Sequence, residues 1–167
     1  MHFQMTVALA AATLLALGSA SNAQSQMPAA VAAPGETAIA TLHAQGAQVY
    51  ECKADNAGKL TWQFREPIAS LFLSGKTVGR HYAGPNWEHT DGSAVVAKVA
   101  GRAPGATAKD IPWLKLEVTE RRGNGVLTPT TTIQRINTVG GTMEGACDKA
   151  GAFYSAAYST DYVFLKK

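Results

Sequence analysis

The sequence predicts an all-β domain, folded as an antiparallel β-sandwich or a flattened barrel. Three observations predict this class: short runs alternate apolar and polar residues with period two, turn residues separate the runs every 8 to 12 residues or so, and helical periodicity is nearly absent. The chain has 167 residues, 46% hydrophobic and 16% charged. This size and composition suit one globular domain and exclude a disordered chain.

The first half of the domain is predicted to contain a hairpin followed by several short strands. Residues 47–53 alternate with period two, and Leu60, Trp62 and Phe64 do so again after a turn at residues 55–58. Further strands, separated by turns at 74–75, 84–85 and 91–92, are predicted over residues 70–73, 77–82, 86–89 and 94–99.

The second half begins with a predicted loop over residues 102–110. Leu114, Leu116 and Val118 then share one face of a strand. Asn124-Gly125 follows, and this dipeptide is among the strongest short signals for a hairpin turn.

The return strand is predicted over residues 126–137. It contains Pro129, which has no N–H to donate and therefore predicts an edge position or a bulge. An aromatic-rich strand over residues 158–165 is predicted to complete the domain.

The N-terminus predicts export to the periplasm or the extracellular space. Residues 5–17 are an apolar run of the length of a signal-peptide core, and Ser21 and Ala23 are the small residues expected before a cleavage site. We therefore predict a signal peptide over 1–23, a flexible leader over 24–36 and an all-β domain over 37–167. The mature chain has no second apolar run that predicts a transmembrane segment.

Two cysteines, Cys52 and Cys147, lie near opposite ends of the predicted mature chain. In an oxidising compartment one intramolecular disulfide is the natural interpretation. On the chain-entropy model a loop of about 100 residues closed in this way contributes about 4.7 kcal/mol as an upper figure. A redox-active or metal-binding pair is the alternative, although such pairs normally have close spacing or neighbouring His ligands.

The charge distribution does not indicate nucleic-acid binding. The formal net charge is +3, and no basic run is longer than Arg121-Arg122 or Lys166-Lys167. Proteins that follow a phosphate backbone cluster many Lys and Arg residues on one face.

A polar cluster in the middle of the chain is the candidate for a metal site. His81, Glu88, His89 and Asp91 supply the ligand types that Zn²⁺ requires. In an extended strand, however, Glu88 and His89 point to opposite faces. The cluster defines one functional alternative, a metal-assisted hydrolase or another enzyme.

The second candidate site is a pocket for a small molecule. Large aromatic residues of a small β domain usually fill its core, but an aromatic pocket with a few polar groups is also the common composition of a ligand site. The candidate ligand-binding residues are His81, Trp87, Glu88, Trp113 and Arg135.

Arg135 has two interpretations. Its guanidinium can bind a carboxylate ligand, or it can pair with a buried acid such as Glu51, which is the simpler account. The sequence contains no nucleophile motif such as G-x-S-x-G, and it predicts no cofactor and no catalytic residue. It favours a non-enzymatic protein that binds a small ligand or an envelope component; a structural envelope protein without a ligand stays open.

Four segments together resemble domain-of-unknown-function family 3455, a group of exported bacterial and fungal proteins. They are QVYECKA at 48–54, GPNWEHTDGS at 84–93, IPWLKL at 111–116 and IQRINTVGGT at 133–142. The resemblance covers residues 36–164 and implies kinship of fold, without implying a reaction. Cys52 and Cys147 match the paired cysteines of the family, and Asn86 stands where Thr is common.

Overall fold

The protein consists of eight antiparallel β-strands. The computed structural model describes residues 27–167, so the predicted signal peptide lies outside the described residues. The strands are β1 (Thr37–Ala54), β2 (Leu60–Leu73), β3 (Lys76–Tyr82), β4 (Asn86–His89), β5 (Ala94–Ala103), β6 (Trp113–Arg122), β7 (Thr132–Gly140) and β8 (Phe153–Lys166).

The eight strands close into a barrel. Each strand pairs with its neighbours in the chain, and β1 pairs with β8 to complete the ring. The predicted all-β class is confirmed, and of the two predicted architectures the barrel is the one formed. Within residues 27–167 no helix is long and apolar enough to cross a membrane.

Two predicted strands belong to one continuous element. The hairpin strand that begins at Leu60 and the strand predicted at residues 70–73 are both parts of β2. Pro67 lies between them and faces Gln48 of β1, at a position beyond the last β2 residue that pairs with β3. Because its missing N–H removes no bond to β3, the strand continues through the proline.

The connection between β6 and β7 differs from the predicted tight hairpin. Residues 123–131 form a longer turn, so the return strand begins at Thr132 and Pro129 lies in the turn rather than in a strand. Asp91, from the β4–β5 turn, accepts hydrogen bonds from the Val126 N–H at 2.8 Å and from the Ser93 hydroxyl at 2.6 Å. The bond from Val126 joins two turns that lie 35 residues apart in the sequence, and a local dipeptide signal does not contain such a contact.

This connection closes one end of the barrel. Leu127 is fully buried and joins the hydrophobic core inside the ring, where inward-facing residues of the strands meet. The core at this end includes Leu42, Leu71, Val95, Ile133 and Phe164. We call it the closed end; the β3–β4 turn and the β5–β6 and β7–β8 connections lie at the opposite, open end.

The disulfide lies at the open end. Cys52 and Cys147 are bonded, with their Cα atoms 5.9 Å apart, which confirms the predicted bridge. It ties the end of β1 to the β7–β8 connection, residues 141–152. In the same connection Gly145 accepts a hydrogen bond from the Trp62 N–H at 3.0 Å. The connection is therefore held firmly beside the barrel opening.

A segment before β1 packs against the outside of the barrel. Val31 is fully buried, and its carbonyl accepts a 2.7 Å hydrogen bond from Gln134 Nε2. The Ala32 carbonyl accepts a bond from Lys115 Nζ at 3.4 Å. This part of the predicted leader thus covers outward-facing side chains of β6 and β7.

Candidate functional site

A cavity of about 500 Å³ occupies the open half of the barrel. Strand alternation directs every second side chain inward, and near the closed end these side chains are aliphatic apart from Phe164 and fill the space. Toward the open end several inward residues are aromatic or polar, beside aliphatic ones such as Leu114, and they leave space between them. The cavity is lined in part by Gln48, Tyr50, His81, Trp87, Arg135 and Tyr162.

His81 and Trp87 form one wall of the cavity. They are directly opposite each other on β3 and β4, and their rings stack with centroids 4.3 Å apart. His81 Nδ1 lies 2.8 Å from the Asn86 carbonyl oxygen. Since a carbonyl only accepts, Nδ1 carries the proton and Nε2 is left as the acceptor of the ring.

The imidazole of His81 is neutral at physiological pH. Burial lowers its pKa from 6.5 to about 3, the bond to Asn86 opposes the shift, and the positive charge of Arg135 adds to it. His81 therefore offers a flat ring and a neutral acceptor rather than a charge.

Several polar atoms in and around the cavity have no hydrogen-bond partner among the described residues. They belong to side chains that are at least nine-tenths buried, and they are Trp87 Nε1, Gln48 Nε2 and the hydroxyls of Tyr158 and Tyr162. Burial raises the pKa of both tyrosines, so each hydroxyl keeps its proton and remains a donor. A buried donor without an acceptor costs free energy, which a ligand with acceptor atoms would recover.

Arg135 brings a positive charge into this region. Its Nε and Nη2 both donate to the Pro112 carbonyl, at 3.0 and 2.8 Å. Burial lowers the pKa of the guanidinium, and the neighbouring Tyr162 and Tyr158 oppose that shift. The pairing with Glu51 considered from the sequence is wrong, because Glu51 lies with Lys53 at 2.9 Å instead.

The mouth of the cavity carries further cations and exposed apolar side chains. Arg65 and Arg102 line it, together with Phe64 and Val99. Arg65 pairs with Glu66 at 3.2 Å, whereas Arg102 makes no ion pair within residues 27–167. No Asp or Glu is among the described residues that line the cavity.

Two of the predicted ligand-binding residues do not line the cavity. Glu88 follows Trp87 and so points out of the barrel, where it accepts hydrogen bonds from the Tyr82 hydroxyl at 2.8 Å and from Arg80 at 3.1 Å. These bonds lower the pKa of Glu88, and the bond from Tyr82 has the larger effect. Trp113 precedes the inward-facing Leu114 and therefore also points outward.

The four residues of the candidate metal site do not converge, although His89 Nδ1 and Asp91 Oδ2 lie 3.1 Å apart. His81 faces the cavity, Glu88 faces outward, and His89 and Asp91 lie toward the closed end. Within the part of the chain that the structure describes, no group of three or more His, Cys, Asp or Glu residues is arranged to hold a metal ion. Asp91 joins two turns instead, because it accepts hydrogen bonds from Ser93 and Val126. Partial burial opposes its ionisation, but these bonds hold its pKa well below the usual value.

Sequence reasoning missed Tyr162 and Gln48, which line the cavity, and Tyr158, which is their buried neighbour. Tyr158 and Tyr162 share the inward face of β8 with Phe164, a period-two pattern that was visible in the sequence. The pattern alone does not distinguish a tyrosine in the core from one that faces a cavity. Gln48 gave no signal, because its burial depends on closure of the ring.

Comparison with known families gives one match. The model of the family described as protein of unknown function (DUF3455) matches residues 32–166, which confirms the resemblance seen in the sequence. No curated protein and no solved structure shows detectable similarity to this chain.

Proposed function

The chain belongs to the DUF3455 family of proteins of unknown function, and from that premise we propose that the barrel binds a small molecule with a flat, apolar body in its open half. The cavity carries this proposal. Its volume of about 500 Å³ falls within the range of ligand sites, and aromatic walls with a few convergent polar groups are typical of them.

The walls favour a flat ligand. Trp87 and His81 already stack on each other, and the edge of Tyr162 meets both rings, with centroids 5.3 and 5.0 Å away. Aromatic groups pack against such surfaces by offset stacking or edge to face. Of the residues predicted from the sequence, His81, Trp87 and Arg135 are the proposed ligand contacts.

Export of the protein is part of the same proposal. A disulfide between Cys52 and Cys147 persists in the periplasm or the extracellular space, which agrees with the apolar N-terminal run and its small-residue cleavage site. The ligand would then be a molecule of the cell envelope or its surroundings. The intact mass of the protein recovered from the exporting cell tests this part: cleavage after Ala23 supports it, and an uncleaved chain contradicts it.

Titration with N-phenyl-1-naphthylamine tests the binding proposal. This neutral amine fluoresces strongly in apolar surroundings, and we expect a saturable rise with one site per chain. Val99 is 43% exposed at the mouth, so Val99→Trp narrows the entrance without disturbing the core. We expect this variant to weaken binding by about tenfold or more.

Val139→Trp is the matched control. Val139 is 63% exposed on β7 and does not line the cavity, so the same substitution leaves the entrance unchanged. If Val99→Trp and Val139→Trp bind the amine with equal affinity, the amine binds outside the cavity. If the unmodified protein shows no saturable binding, the proposed function is contradicted.

A further inference from the structure

We infer that the ligand of this cavity is an acid, with a carboxylate bound by Arg135 and an apolar body against the aromatic wall. The inference rests on the proposed function and adds the chemical class of the ligand. Arg135 is a cation in a cavity that no acidic side chain lines, and it forms no ion pair among residues 27–167. A charge removed from water is costly unless a partner of opposite sign compensates it.

The geometry of Arg135 leaves the correct donors available. A guanidinium has five N–H donors in a planar fork. Nε and Nη2 donate to the Pro112 carbonyl along one edge, and this pair of bonds fixes the orientation of the plane. The other edge, formed by Nη1 and the second hydrogen of Nη2, makes no hydrogen bond of good geometry within residues 27–167, although the Tyr162 phenol lies beside the guanidinium. This edge can therefore receive a carboxylate, which arginine binds through two parallel hydrogen bonds.

The neighbours of Arg135 are neutral donors that suit the same anion. The phenols of Tyr158 and Tyr162 lie beside each other, with Arg135 next to Tyr162 and Gln48 next to Tyr158, yet neither buried hydroxyl makes a hydrogen bond of good geometry within residues 27–167. Gln48 Nε2 is a third unpartnered donor in this region. Two carboxylate oxygens accept about four hydrogen bonds, so one carboxylate has acceptor sites for the arginine and for a neighbouring donor such as the Tyr162 hydroxyl.

Charges at the mouth act in the same direction. Arg102 is exposed at the opening, where a positive side chain attracts anions from solution. The carboxylate of Glu144, in the β7–β8 connection, is exposed and forms no ion pair with Arg135. The deep positive charge is thus left for a ligand.

The experiment compares 2-naphthoate with 2-naphthamide as competitors of bound N-phenyl-1-naphthylamine at neutral pH. The two compounds have nearly the same shape, and only the first is charged. Hydrogen bonds to charged groups predict that the unmodified protein prefers the carboxylate by about ten- to a hundredfold. We expect Arg135→Gln to bring the two affinities to within about threefold of each other.

Arg121→Gln is the control variant. Arg121 donates its Nε and Nη2 to the Thr130 carbonyl, at 3.2 and 2.7 Å, in the same arrangement as Arg135 but away from the cavity. Arg121→Gln removes an equivalent pair of hydrogen bonds to a backbone carbonyl. Because these bonds lie away from the cavity, we expect this variant to keep the preference for the carboxylate. If Arg135→Gln does not fold, Arg135→Met replaces it; this side chain fills a buried site without carrying a charge, so it should also bring the two affinities together.

The outcomes separate the two proposals. Displacement of the amine by both compounds with equal affinity for the unmodified protein would overturn the carboxylate inference and leave the binding function standing. A preference that survives the change at Arg135 would also overturn it. If the amine itself shows no saturable binding, the proposed function fails first.

Discussion

Acid should destabilise this protein through His81, and the structure gives the magnitude. The imidazole titrates with a pKa near 6.5 in the unfolded chain and about 3 in the folded one, because burial disfavours its charged form. Between these two pKa values the unfolded state binds more protons than the folded state. The stability that the neutral His81 contributes is therefore complete above the unfolded-state pKa and is lost progressively as the pH falls below it. Going from about pH 7.5 to about pH 4 should cost about 3 kcal/mol from this residue alone.

His81→Gln isolates this contribution. Glutamine can still donate to the Asn86 carbonyl, but it does not titrate. Folding also lowers the pKa of carboxylates such as Glu88 and Asp110, so the protein loses their stabilising contribution in acid. This loss is the same in the unmodified protein and in His81→Gln, and it cancels in the comparison.

The assay is urea unfolding of both proteins at the two pH values. The unmodified protein should lose about 3 kcal/mol more than the variant between them. Equal losses would refute the account of a neutral histidine buried beside Trp87.

Two further predictions concern stability. Reduction of the Cys52–Cys147 disulfide should lower the free energy of unfolding by about 2 to 5 kcal/mol, measured with and without reductant in urea; an unchanged midpoint would contradict a stabilising bridge. Leu127→Ala should cost about 2 to 5 kcal/mol, because it opens a hole at the closed end, whereas Val126→Ala at the exposed neighbour should change stability by less than about 0.5 kcal/mol. Similar losses in the two variants would show that Leu127 does not close the barrel.

The sequence predicted strands where apolar and polar side chains alternate clearly, and it missed strands where this alternation is weak. The first ten residues of β1 are mostly small, and their apolar pattern is weak. Gly46 lies so close to the β2 backbone that a Cβ there would collide with Ile68 and Ala69. Such a stretch becomes a strand because β8 pairs with it from Thr37 and β2 joins on the other side from His43, which the local sequence does not encode.

The site was partly predictable for a similar reason. Trp87 and His81 lie on the same face by simple alternation, and the short turn between β3 and β4 brings them together. Arg135 was recognised as a candidate cation of the site, but the predicted partner Glu51 was wrong because Pro112, the actual acceptor, comes from a connection whose path follows ring closure. Tyr162 required the β1–β8 pairing, which no local pattern predicts.

The indole N–H signals of the three tryptophans test the central claim most directly. In a ¹⁵N–¹H spectrum each indole gives a separate signal, assigned by Trp→Phe substitution. Trp87 lines the cavity with its Nε1 unpartnered, whereas Trp113 has an equally buried, unpartnered Nε1 outside the cavity.

On saturation with 2-naphthoate or N-phenyl-1-naphthylamine, the Trp87 signal should shift and the signals of Trp62 and Trp113 should stay in place. A bound ligand that leaves Trp87 unchanged, or that moves Trp113 instead, would contradict binding inside the barrel.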